Sequence, residues 1–181
     1  MTSIVVPLAD GFEEIEAACI IDVLRRAELR VVTASINSSL AVRGAHGLVF
    51  MAEEALGNLK ADQFEGVVLP GGLPGATNLL ADQALKTLLL NLHQQKKCLA
   101  AICAAPQVLA AHGVLGDSHA TCYPGVEPLM KNAKMLPQGV VVDGHIITGR
   151  GIGSALDFAL AIASYFKGHD CAKALRKAMV M

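Results

Sequence analysis

The chain has 181 residues, a net charge of −1, and a composition that is 53% hydrophobic but only 4% aromatic, with no Trp. That is the length of one domain, able to bury a core without disulfides or metals, and its Ala-, Val-, Ile- and Leu-rich interior suits a sheet covered by helices on both faces. The near-zero charge, with no basic cluster, excludes nucleic acid as an expected partner.

The first predicted element is a buried strand over Ser3–Leu8. The apolar run at the start of the chain has no basic flank and is too short for a signal peptide or a membrane span, so no membrane association and a cytoplasmic location are expected. Ala9–Phe12 reads as a turn into a helix from about Glu13 to Ala27, on which Glu16, Ile20, Val23, Leu24 and Ala27 share one stripe. Glu16 is the exception on that stripe. An acid is costly to bury ionised, so it is expected at the mouth of a pocket, protonated or paired. Glu13 and Glu14, in the first turn, fit the simpler role of acids stabilised by the helix dipole.

Leu29–Ser35 predicts a second strand, and Leu40–Arg43 with Leu48–Met51 a hairpin. Gly66–Leu69 is a further buried strand ending in Pro70-Gly71-Gly72-Leu73-Pro74-Gly75, a tight loop whose backbone N–H groups can approach a ligand closely. An amphipathic helix over Ala84–Gln95 leads to a strand over Leu99–Cys103, and a helix to His112 follows, closed by Gly113. Cys122–Gly125 reads as a loop and Val126–Lys131 as a helical turn. Val140–Val142 and Ile146–Thr148 flank Asp143-Gly144, a two-residue hairpin signal. The second of these strands runs into Gly149-Arg150-Gly151-Ile152-Gly153; Ser154 is placed to cap an apolar helix to about Phe166, and a last helix covers about Asp170–Met179. Lys173, Arg176 and Lys177 form a solvated face of that helix. Gly-x-Gly in the Gly149 loop lacks the downstream acid of a dinucleotide site.

The chemistry centres on Ala100–Pro106. A short apolar strand stops at Cys103 and Pro106 opens a helix, so the thiol sits on a sharp turn for which Ala101, Ala104 and Ala105 leave room. Helix-terminal N–H groups there would favour a thiolate and hold an oxyanion; an inert buried cysteine is the alternative reading. Five cysteines without regular spacing argue against disulfides. Cys98 and Cys103, five apart, point to opposite faces, so no metal is expected. Alternating strands and helices define an α/β, doubly wound, mostly parallel sheet, in which ligands bind at the carboxyl ends of strands. Glu16, Gly71-Gly72, Cys103 and Gly149-Arg150 all lie just beyond such ends.

On Asp10–Glu16, Val67–Gly72, Ala100–Pro106, Thr148–Gly151 and Phe158–Ile162 the chain resembles the DJ-1/ThiJ/PfpI superfamily, on its DJ-1-like branch. The resemblance implies a single flavodoxin-like domain over 1–181, a homodimer, and a reactive, oxidation-prone Cys103 partnered by Glu16. It also implies roles described for that branch: cofactor-free glyoxalase, deglycase, redox sensor and chaperone. Ala104 stands where the peptidase-like branch has a His after the nucleophile, which argues against protease activity, and Tyr123 stands where the human protein has a His near the cysteine. The family often has Ser where this chain has Gly149, whose N–H could still donate. The remaining histidines read as solvated, and no downstream His-Glu pair of an amidotransferase is present.

The expected reaction joins Cys103 to a reactive 2-oxoaldehyde with no cofactor. Gly72 and Ala104 N–H groups hold the oxyanion, Glu16 moves the proton, and Tyr123, Gly149 and Arg150 shape the pocket. The alternative from the same residues is a peroxide sensor or chaperone whose Cys103 stops at sulfinate.

Overall fold

The computed structural model describes residues 2–181. Its elements in chain order are β1 (Ser3–Leu8), α1 (Glu14–Arg26), β2 (Arg30–Ser35), β3 (Ala41–Arg43), β4 (Val49–Met51), β5 (Glu54–Ala55), β6 (Gly66–Leu69), α2 (Gly75–Ala81), α3 (Gln83–Gln94), β7 (Cys98–Ile102), α4 (Pro106–Ala111), β8 (His119–Ala120), β9 (Lys134–Met135), β10 (Val140–Asp143), β11 (Ile146–Gly149), α5 (Ala155–Lys167) and α6 (His169–Ala178). Seven strands form one sheet in the order β10-β11-β7-β6-β1-β2-β5. All neighbours are parallel except β10 and β11, which pair antiparallel; Asp143 itself pairs with Ile146, so the two-residue turn is Gly144-His145, one residue beyond the expected Asp143-Gly144.

Two-residue alternation sorts the sheet's side chains into two cores. Val5, Val67, Leu69, Leu99 and Ala101 face α2, α3 and α4, meeting Leu79, Leu85, Leu89, Leu92 and Leu109. Ile4, Val6, Leu8, Val68, Ala100, Ile102 and Ile147 face α1 and α5, meeting Ile20, Leu24, Phe158 and Ile162. Each such Leu, Ile or Phe, fully removed from water, contributes roughly 1.5–3 kcal/mol, and this double coverage is why the strands read as continuous apolar runs.

The chain leaves β1 toward β2 on one side and β6 toward β7 on the other. The strand order therefore reverses between β1 and β6, and the carboxyl ends of β1, β6 and β7 open on one crevice, where such sheets bind ligands. The β3–β4 hairpin braces this end: Gly11 N–H donates to Arg43 O (2.8 Å), Ala45 N–H to Phe12 O (2.8 Å), and Arg43 N–H to Asp10 Oδ1 (2.8 Å).

One local expectation is corrected: Ser154 stands at the start of α5 but makes no side-chain cap to it; its hydroxyl turns back to donate to Gly151 O at 2.9 Å. Glu13 and Glu14 lie at the N-terminus of α1, as expected, and both are in addition buried. Glu13 is the N-cap of α1, and Glu14 accepts from the backbone N–H of His46 (2.6 Å) and pairs with its ring (2.9 Å). The His46 ring itself stays mostly in solvent.

Candidate active site

Cys103 follows β7 directly and has φ +63°, a left-handed conformation that a side-chain-bearing residue adopts only where its surroundings hold it there. Four restraints do so. Cys103 N–H donates to Gly149 O (2.9 Å), Tyr123 N–H donates to Cys103 O (2.8 Å), Ala105 N–H donates to Ile102 O (3.0 Å), and Pro106 opens α4. The turn lifts the thiol out of the sheet into a cleft of about 410 Å³ lined by Tyr123, Arg150, Gly151, Ile152 and Ser154. Cys98 and Cys122, by contrast, are buried; all five cysteines are free.

Glu16 reaches the same point from the other side of the sheet switch. Its residue is fully buried, its Oε2 accepts from Gly71 N–H (2.9 Å), and its Oε1 meets no N–H or O–H donor. The Cys103 thiol lies beside it, and each perturbs the other's titration. Burial raises Glu16 to about 7, against the lowering effect of Gly71 N–H and the thiol. Burial first, then the charge of Glu16, pushes Cys103 up to about 12, against the lowering effect of the nearby Gly72 and Ala104 N–H groups. The helix-terminus expectation of a readily ionised thiol is therefore corrected. α4 has only six residues, and desolvation outweighs two N–H donors. The pair releases one proton near neutrality and holds the other tightly, so carboxylate-with-thiol and acid-with-thiolate are two forms of one singly charged unit.

Of the residues expected here, Cys103, Glu16, Gly72 and Ala104 come together around the sulfur. Tyr123 and Arg150 line the outer cleft; Tyr123 is 53% exposed, and the Arg150 guanidinium donates to Pro137 O at 3.4 Å. Gly149 lies deeper, inside β11, where it acts through the carbonyl that accepts Cys103 N–H. A Cβ there would stand 2.7 Å from Ile102.

Two residues do more than the sequence reading gave them, which had Gly71 only as part of a loop open to a ligand and Glu13 only as a helix-terminal acid. Gly71 holds Glu16, and a Cβ on it would fall 2.6 Å from Cys103 Cβ and 2.8 Å from Glu16 Oε2, so this glycine is what lets acid and thiol meet. Glu13 accepts from Glu16 N–H (2.7 Å) and donates its own N–H to Gly71 O (2.9 Å), tying the helix to the loop. The signals were present as a Gly-Gly pair and an acid three residues before Glu16. Among the described residues, Glu13, Glu14 and His46 form the one group of three potential metal ligands with atoms within 4.8 Å. Their oxygens are already engaged by Glu16 and His46 N–H groups and the His46 ring.

A flavodoxin-like α/β sandwich with a cysteine on a strand-to-helix elbow and a buried glutamate beside it defines the class of this protein. The DJ-1/PfpI family pattern matches residues 2–165, and the chain belongs to that family. It is 38% identical over 179 residues to the Arabidopsis thaliana protein DJ-1 homolog B, covering 98% of this chain and 41% of that protein. It spans less than half the length of both Arabidopsis relatives, 46% in the case of homolog A. It is 33% identical over 180 residues to the Caenorhabditis elegans glutathione-independent glyoxalase DJR-1.2, covering 98% of this chain and 95% of that one. The structure of oxidized Toxoplasma gondii DJ-1 superposes with a TM-score of 0.96 at 33% identity, covering 99% of this chain and 98% of that one. Among the described residues, no helix is long and apolar enough to cross a membrane.

Proposed function

We propose that the protein removes reactive 2-oxoaldehydes, converting methylglyoxal to lactate through Cys103 and Glu16 without a cofactor. The observation that carries this reading is the convergence on one sulfur of a buried carboxyl able to exchange a proton near neutrality and two backbone N–H donors. Similarity to a nematode protein named as a glutathione-independent glyoxalase supports it.

In the first step Sγ adds to the aldehyde carbon while Glu16 takes the thiol proton; the oxygen that gains charge is held by the Gly72 and Ala104 N–H groups and then receives that proton. Glu16, again a carboxylate, removes the hydrogen on the same carbon and delivers it to the adjacent one, while the hydroxyl proton of the first carbon passes to the neighbouring carbonyl oxygen, converting the hemithioacetal to a lactoyl thioester. Water cleaves the thioester, restoring the thiol. The balance is methylglyoxal plus water to lactate, an internal redox exchange between two carbons that needs no external oxidant. Tyr123 and Arg150 form the outer wall against which the substrate lies.

A second reading rests on the same geometry and on the likeness to an oxidized DJ-1 structure. Peroxide converts Cys103 to sulfenate and then sulfinate, losing one water at each step, with protonated Glu16 and the two N–H groups holding the new oxygens. A redox-regulated chaperone or deglycase would use this site too. The five free cysteines fit a reducing compartment such as the cytoplasm, and we propose that the protein acts as a homodimer.

Glutathione-free lactate formation from methylglyoxal separates these readings. Wild type turns over, Cys103→Ser is inactive, and Glu16→Gln falls by about 10²-fold or more with loss of the proton carrier. Activity surviving in Cys103→Ser overturns the glyoxalase reading. Negligible turnover together with a gain of two oxygens on Cys103 after mild peroxide favours the sensor.

A further inference from the structure

The fold brings together two histidines that stand 52 residues apart in the chain. His93 lies in the last turn of α3 and His145 in the turn between β10 and β11. His145 Nε2 and His93 Nδ1 face each other at 3.4 Å, with ring centroids 5.4 Å apart and planes inclined by 38°. Both residues are half-buried, and their backbones are fixed: His145 O accepts from Leu99 N–H (2.9 Å), and His93 O from Lys96 N–H (2.9 Å). They flank the start of β7, whereas Cys103 lies beyond its far end, so the pair belongs to the opposite edge of the sheet from the active site.

Two imidazole nitrogens bound to one zinc ion at 2.0–2.1 Å with a tetrahedral angle stand about 3.3 Å apart. The observed spacing already matches that bite. We propose that His93 and His145 form a two-histidine chelate for a divalent transition-metal ion, zinc by its geometry, with water completing the coordination. In the metal-free pair one facing nitrogen carries a hydrogen that the other accepts. On binding, that ring moves its proton to its other nitrogen, both facing atoms present lone pairs, and no net proton is released.

Lys96 and Asp143 are the charged groups near the pair, and Asp143 is engaged with His119. No third His, Cys, Asp or Glu of the described residues completes a cluster with them. With half the ligands of a structural zinc site, affinity is on the order of micromolar. The bound ion would clamp the end of α3 to the β10–β11 turn.

Calorimetric titration of zinc chloride into tag-free protein carrying Cys103→Ser, which removes the active-site thiol as a competing ligand, tests this. One zinc binds per chain, His93→Gln or His145→Gln each weakens binding at least tenfold, and zinc raises the thermal midpoint only when both histidines are present. Equal affinity and stoichiometry in the histidine variants, or no binding at millimolar zinc, overturns the proposal. A second measurement needs no histidine variant: zinc protects His93 and His145 of the wild type from diethyl pyrocarbonate, read by peptide mass, and equal labelling with and without zinc contradicts the site.

Discussion

A carboxyl group with no charged partner is an unusual thing to place at zero exposure, and Glu16 shows what it costs. Its pKa in the folded protein is about 7, against 4.5 for the free side chain. The folded state therefore keeps a proton that the unfolded chain releases above about pH 4.5, and stability falls as pH rises through that interval, by about 3 kcal/mol once pH exceeds 7. Glu16→Gln has no such penalty. Its thermal midpoint should exceed that of the wild type by more at pH 8 than at pH 5, and an equal gap at both pH values would contradict the burial argument. The proposed catalytic carboxyl is thus held at the expense of stability, as is common at active sites. This residue was legible in the sequence because an acid interrupted an otherwise apolar helical stripe. The role of Gly71 was not, since the demand for a bare Cα there is created by Cys103 and Glu16 arriving from 32 residues downstream and 55 upstream in the chain. His46, read as solvated, gave no sign of its contact with Glu14, which depends on the hairpin folding back over α1.

At the level of elements, the site depends on where α1 begins. Glu13 caps the helix by accepting from Glu16 N–H, and the same residue's N–H holds the Gly71 carbonyl, so one N-cap sets both the helix register that aims Glu16 and the loop that receives it. Glu13→Ala should cost about 1 kcal/mol, a fall of about 2–4 °C in the thermal midpoint, with a loss of lactate formation larger than that destabilisation explains; melting curves and rates on the same preparation check both. The strands β1 and β6, the two hairpins and the helices α1, α3 and α5 were readable from periodicity to within a residue or two. β5, β8 and β9 were not: each has two residues and exists only through pairing with a distant partner. The seven-residue α2 begins directly out of the Gly- and Pro-rich loop and carries no amphipathic pattern long enough to show. The elbow itself was legible as a strand, a cysteine and a proline among alanines. Its electrostatics were not, because desolvation of the thiol follows from the packing of three separate segments.

Over the whole molecule, the sheet's switch point does what no single element can, placing the ends of β1, β6 and β7 side by side so that Glu16, Gly71-Gly72 and Cys103 share one crevice. Several apolar side chains remain exposed: Ile15 on the first turn of α1, and Leu48, Val49 and Met51 on the hairpin that α1 contacts through Glu14 and His46. Such a surface fits the proposed homodimer. Sedimentation equilibrium should give twice the chain mass, and Leu48→Asp with Met51→Asp the single mass; a monomeric wild type would contradict it. One proton shared between Glu16 and Cys103 underlies the proposed chemistry, and the pH dependence of Cys103 alkylation by iodoacetamide reads that proton directly. The wild-type rate should rise to a plateau with a midpoint near pH 7, and in Glu16→Gln that inflection should vanish, leaving a steady climb into the alkaline range. An inflection near pH 7 that survives in Glu16→Gln, or its absence from the wild type, would contradict the account.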